Sequence, residues 1–243
     1  MRLATFRMGK DFILHDAGIL WDAERPPQIS PAWFSSAFWK ARDAITGQAP
    51  GRGASLFVDA AAVGVADETW VLRPYRRGGQ AARFSEDHYL WTGAERSRAF
   101  RELRLTATLH AQGLPVPRPV AAWVHRHRIS YRAALLTVML PAARALADCL
   151  TDADPALLER VGATLRRFHD AGLDHVDLNA RNLLITPDER IWLIDLDRCR
   201  LRRPGGWRQR NLKRLERSLG KFSTTAADDM AAVARGYRAA SPA

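Results

Sequence analysis

The sequence predicts an α+β chain: short β-compatible runs and one helix come first, and a mainly helical part with one further hairpin follows. Three observations carry this expectation. Residues 97–112 and 154–170 repeat apolar side chains at helical spacing. The stretches TWVLRPYRRGG from Thr69 and YRAALLTVMLP from Tyr131 read as strands, the second ending at Pro141. Between His175 and Asp197, the runs Asn182–Thr186 and Ile191–Asp195 flank the turn residues PDER, which predicts a hairpin. At 243 residues the chain suits one large domain or two packed lobes.

In chain order, PPQISPAWFSSAFWKAR predicts a helix starting at Ser30 with Pro31 in its first turn. Trp33, Phe34, Phe38 and Trp39 then form an aromatic face, expected to pack on the body of the protein; contact with a lipid or sugar is the alternative. Gly51 and Gly53 sit between β-compatible stretches. They suit a hairpin loop that comes close to phosphates, although Gly-x-Gly is also a plain turn. In helix 97–112, Ser97 is the N-cap, Phe100, Leu103 and Ala107 share a face, and Gly113 and Pro115 are stops. LPVPRPVAAWV leads into a strand. Helix 154–170 has Asp154 as N-cap, Pro155 in its first turn and a stripe of Leu158, Val161, Leu165 and Phe168; Gly172 ends it. From Arg208 a basic amphipathic helix carries Leu212, Leu215 and Leu219 on one side. An Ala-rich tail closes the chain.

Composition narrows the function classes. Hydrophobic residues make up 47% and charged residues 26%, as in a folded soluble protein. No apolar run approaches the roughly 18 residues that span a bilayer. The start, MRLATFRMGKDF, lacks the features of a secretory signal. Cys149 and Cys199 are isolated thiols without metal-ligand spacing, which suits a reducing, cytosolic setting. The net charge of +11 is concentrated: residues 198–221 hold ten Lys or Arg against one acid, Glu216. Such a patch implies an anionic partner, whether nucleic acid, lipid or a phosphorylated substrate.

The chemistry is concentrated in DAGLDHVDLNARNLLITPDERIWLIDLDR. A loop, a hairpin and a short acidic run bring Asp177, Asn182 and Asp195 together. Their oxygens suit a magnesium ion and leave one carboxylate to accept a proton. Asp, Asn and His also populate ordinary turns, but three such residues each beside a strand point to phosphoryl transfer. The spacing His-x-Asp-x-x-x-x-Asn, followed by an apolar strand ending in Asp, resembles the catalytic loop and metal-binding Asp of protein-kinase-like phosphotransferases.

With GRG, VLRPYRRGG, RSRAFRELRL, LPVPRPV, YRAALLTVMLP, HVDLNARNLLI, IWLIDLDRC and NLKRLERSLGK, the chain resembles the 3-deoxy-D-manno-octulosonic acid (Kdo) kinases of Gram-negative bacteria. These are the lipopolysaccharide kinase branch of the protein-kinase-like fold. The resemblance implies two lobes, an antiparallel sheet plus helix and a mostly helical catalytic lobe. It implies transfer of the ATP γ-phosphate to the 4-hydroxyl of the Kdo sugar on Kdo–lipid IVA. By position, Asp177 is the base, Asn182 and Asp195 hold magnesium, and His175 braces the loop. Arg73 and Glu102 form an ion pair on the phosphate side, and Gly51 and Gly53 lie over the nucleotide. There is no lysine between residues 41 and 212, and an arginine in the third strand is this family's own pattern. Relative to kinases at large, the loop has fewer glycines and Leu196-Asp197 replaces Phe-Gly. The implied setting is the cytoplasmic face of the inner membrane, reached through residues 198–221, with no nucleic-acid partner. The alternatives are another acceptor, such as a core heptose or an aminoglycoside-type molecule, or a non-enzymatic nucleic-acid-binding protein. An aminoglycoside acceptor calls for an acidic pocket, and the region after Asp197 is basic.

Overall fold

A computed structural model describes residues 1–18, 29–49, 55–75 and 89–240. They form two compact units, Met1–Ala107 with Arg118–Met139, and Thr108–Pro117 with Leu140–Ala243. The expected α+β class holds.

In the first unit, the described strands are β1 (Leu3–Met8), β2 (Asp11–Asp16), β3 (Ile45–Gln48), β4 (Leu56–Asp59), β5 (Thr69–Pro74), β6 (Tyr89–Leu90), β7 (Pro119–His127) and β8 (Ser130–Val138). They build one antiparallel sheet in the order β1-β2-β7-β8-β5-β4-β3, with β6 also paired to β8. Residues 1–16, which fit no element in the sequence reading, are the β1–β2 hairpin, turned at Gly9 with φ +59°.

Side chains alternate across this sheet, and each face has its own core. On one face Ile13, Val58, Trp70, Leu72 and Leu136 pack with Trp33, Phe34 and Trp39. On the other, Leu14, Tyr75, Val124 and Leu135 pack with Phe100 and Leu103 of α2 (Arg98–Ala111), a helix that starts in this unit. The aromatic segment therefore packs on the body of the protein. The helix expected from Ser30 is broken into a 3-10 turn, Pro31–Phe34, and α1, Ser36–Lys40. The reason is Ser35, whose extended backbone lets its hydroxyl accept the Ala37 N–H and cap a new start. Inside the core, Trp39 Nε1 donates to the Trp33 carbonyl at 2.6 Å.

In the second unit, α3 (Pro155–Asp170) starts as expected, with the Asp154 side chain accepting the Ala156 N–H. Its stripe Leu158, Val161, Leu165 and Phe168 is buried. Two small sheets follow. β9 (Arg144–Ala145) and β12 (Ile191–Leu193) flank β11 (Leu183–Ile185), and β10 (Leu173–Asp174) pairs with β13 (Arg200–Leu201). The basic helix α4 spans Trp207–Leu219 and buries Leu212, Leu215 and Leu219.

The Ala-rich tail, to which the sequence reading gives no element, holds a helix, α5 (Ala226–Ala239), packed along α3. The contact is made through missing side chains. A Cβ on Gly162 would lie 1.9 Å from the Val233 carbonyl oxygen, and one on Gly236 1.8 Å from that of Glu159. The basic segment also partly turns inward. Arg202 lies 3.0 Å and Arg200 3.9 Å from the buried Asp174 carboxylate. Arg208 bonds the His169 carbonyl at 2.7 Å and sits 3.2 Å from Asp170.

His169 joins α3, α4 and α5, with its ring edge-on to Trp207 and Nδ1 2.8 Å from the Tyr237 hydroxyl. Burial, helped by the neighbouring Arg208, pushes its pKa down from 6.5 to about 4. The unfolded chain therefore takes up a proton that the folded chain refuses. This contribution to stability is complete above the unfolded value and is lost as pH falls towards about 4. Denaturant titrations from neutral pH to about pH 4 should show a steeper loss of stability for the natural chain than for His169→Asn.

At the α3–α5 contact, Gly162→Ala and Gly236→Ala should each cost about 1–3 kcal/mol or more through overpacking. Gly220→Ala, where a Cβ meets nothing closer than 3.8 Å, is the near-neutral control; equal melting temperatures for all would refute the tight contact.

Candidate active site

Of the expected site residues, Arg73 and Glu102 fall in the first unit and meet there. Alternation along β5 sends Leu72 to one core and residues 73 and 75 to the face that α2 covers. Arg73 Nη2 lies 2.5 Å from Glu102 Oε1, and the Tyr75 hydroxyl bonds Oε2. Glu102 is buried, so its carboxylate depends on these partners. The Arg73 guanidinium also lies 4.8 Å from the Tyr75 ring centre. Tyr75 was missed by sequence reasoning, and its signal was the i+2 spacing from Arg73. Gly51 and Gly53 lie outside the described residues.

His175, Asp177, Asn182 and Asp195 fall in the second unit. After α3, Gly172 turns the chain at φ +86°; a Cβ there would come within 2.7 Å of the Arg202 carbonyl oxygen. Strand β10 then delivers His175, which is buried. Its Nε2 lies 3.1 Å from the Ile194 carbonyl; a carbonyl only accepts, so the proton sits on Nε2. Asn182 Nδ2 donates to the Asp177 carbonyl at 3.0 Å, and the Ile194 N–H donates to the Asn182 carbonyl at 3.0 Å. These bonds join the loop holding Asp177 to the strand end that precedes Asp195. Asp177 is exposed, while Asn182 and Asp195 are half-buried. Asp195 adopts φ +60°, a left-handed backbone that Asp tolerates better than most residues.

With Nδ2 engaged by the Asp177 carbonyl, Oδ1 is the atom of the Asn182 amide that could hold a cation. An amide oxygen and a carboxylate are hard donors that suit magnesium, which commonly completes its shell with waters and substrate phosphates. Among the described residues, no three His, Cys, Asp or Glu side chains gather into a metal cage.

The loop is also anchored from α4. The Ala180 N–H donates to Ser218 Oγ at 3.0 Å, and the Ala180 carbonyl accepts the Ala147 N–H at 3.1 Å. Ser218 was missed too, although a serine on the buried side between Leu215 and Leu219 was the clue. Ser218→Ala should leave the Ala180 N–H unbonded, cost about 1–3 kcal/mol and speed amide exchange there; unchanged exchange at Ala180 would refute the anchor.

The lipopolysaccharide kinase (Kdo/WaaP) family model matches residues 36–237. The 3-deoxy-D-manno-octulosonic acid kinase of Xanthomonas euvesicatoria pv. vesicatoria (strain 85-10) is 48% identical over 222 residues, 90% of this chain and 85% of that one. The kinase of the same name from Stenotrophomonas maltophilia (strain K279a) is 46% identical over 206 residues, 84% of this chain and 80% of that one. Among solved structures, the Cydia pomonella granulovirus kinase PK-1 matches with a TM-score of 0.43 and 13% identity, over 65% of this chain and 52% of that one. On the sequence matches, the chain belongs to the lipopolysaccharide kinase (Kdo/WaaP) family.

Proposed function

We propose that this chain is a Kdo kinase that transfers the γ-phosphate of ATP to the 4-hydroxyl of the Kdo sugar of Kdo–lipid IVA. The observation that carries this reading is the pair of bonds at Ile194, which tie His175 and Asn182 to the strand end before Asp195. Relatives that bear the name Kdo kinase support the choice of acceptor. In this reading residues 1–140 bind the nucleotide and 141–243 form the catalytic lobe.

A sugar hydroxyl is a weak nucleophile and ATP is kinetically stable in water. The protein must align the two and offset the charge on the phosphate oxygens. Asp177, exposed on its loop, accepts the hydroxyl proton, and the Asn182 amide holds the Asp177 backbone in place. His175 braces the loop from beneath. Arg73, oriented by Glu102 and Tyr75, binds nucleotide phosphates as a planar fork, and Gly51 and Gly53 close over them. Bound magnesium, held by Asn182 and Asp195, would neutralise charge on the transferred phosphoryl group.

The acceptor lipid places the protein at the cytoplasmic face of the inner membrane. Residues Arg203, Arg210, Lys213, Arg217 and Lys221 are exposed on the basic segment. Each contributes about 1 kcal/mol of attraction to an anionic leaflet.

Asp177→Ala should lower kcat by about a hundredfold or more while leaving ATP binding largely intact. Near-normal turnover would remove Asp177 from the mechanism. Radiolabelled ATP offered with Kdo–lipid IVA and with heptosylated acceptors tests the substrate; faster labelling of the heptose would overturn it.

A further inference from the structure

One end of the sheet in the first unit exposes three aliphatic side chains. Leu90 is 68% exposed, Ile129 78% and Met8 49%. Backbone pairing sets them in a row. The Trp91 N–H donates to the Ile129 carbonyl at 2.8 Å, and Leu90 pairs with Ser130. The Arg126 N–H donates to the Lys10 carbonyl at 2.9 Å, and Met8 pairs with Asp11 across the β1–β2 turn. Aliphatic tips therefore stand along one rim, with Lys10, Arg126 and Arg128 exposed among them. Among the described residues of these turns, the carboxylate of Asp11 is turned back onto the sheet. It accepts Trp123 Nε1 at 2.7 Å and lies 2.9 Å from His125 Nδ1.

The β7–β8 connection is poorly chosen as a turn. Arg128 takes φ +53°, and a β-branched isoleucine follows it. A glycine in place of Arg128 would make this two-residue hairpin turn, left-handed at its first central residue only, with less strain. Both side chains are exposed, so the strain is not offset by packing.

We infer that this rim is a docking surface for an anionic lipid bilayer. Met8, Leu90 and Ile129 enter the boundary between headgroups and acyl chains, and Lys10, Arg126 and Arg128 meet lipid phosphates. Aliphatic tips interleaved with cations match the two layers of a membrane surface, anionic outside and apolar beneath. A nucleic acid offers the phosphates but no place for an isoleucine. The rim lies in the unit that does not contain residues 198–221, so it is a second contact. The inference rests on the proposed function only in placing the acceptor in a membrane.

The test is sedimentation of the full chain with vesicles of phosphatidylcholine alone and of phosphatidylcholine mixed with phosphatidylglycerol. The variant Arg128→Gly/Ile129→Ser should melt at or above the temperature of the natural chain and bind the mixed vesicles about a hundredfold more weakly, on the scale of one buried aliphatic side chain and one cation. Leu90→Ser should weaken binding in the same direction. Equal binding by natural and variant chains overturns the rim and leaves attachment to the basic helix. Failure of the natural chain to bind overturns the membrane contact altogether; phosphate transfer to detergent-dispersed Kdo–lipid IVA then judges the kinase reading separately. Displacement from mixed vesicles by a single-stranded oligonucleotide, stronger than by competing vesicles of equal phosphate content, overturns the inference in favour of nucleic acid.

Discussion

Ile194, which follows β12, commits both of its backbone groups to the stretch between β10 and β11. Its N–H goes to the Asn182 carbonyl and its carbonyl receives His175 Nε2. Each bond is worth only about 1 kcal/mol net, but a buried group left without a partner costs more. The position of Asp195 relative to Asn182 is therefore set by main chain and one buried ring, and the Asn182 side-chain amide adds Asp177 to the same frame. The left-handed turn at Asp195 begins at the next residue. Ser218 and residue 147 hold the same loop from other sides, so α4 supports the site as well as carrying charge.

In the first unit the corresponding constraint is the two-residue period of β5. Trp70 and Leu72 fill one core, while Arg73 and Tyr75 face α2. A slip of one residue would bury the guanidinium among tryptophans and leave Glu102 without its cation. The register with β8, Arg73 opposite Leu135, excludes that slip.

Local signals made much of this legible in the sequence. Caps and apolar stripes mark α2 and α3, and the turn residues PDER mark the β11–β12 hairpin. The Arg73–Glu102 pair could also be named in advance, from the resemblance to kinases rather than from local pattern. What stayed hidden depends on contacts distant in sequence. Ser35 breaks a helix that periodicity alone would continue. Tyr75 and Ser218 reveal their roles only once the partner element is in place. Arg202 and Arg208 look like solvent charges until Asp174 and Asp170 are seen beside them. Helix α5 has few large apolar side chains, so hydrophobic patterning passes over it.

That last helix has a consequence for how the chain is made. The buried stripe of α3 is synthesised well before α5, and the two glycines admit nothing bulkier than the partner backbone. Until Ala226–Ala239 has left the ribosome, the face of α3 that holds Glu159 and Gly162 lacks its partner. A chain cut short before Ala226 would therefore carry residues 170–198 with their scaffold unfinished, a form for proteases rather than for turnover.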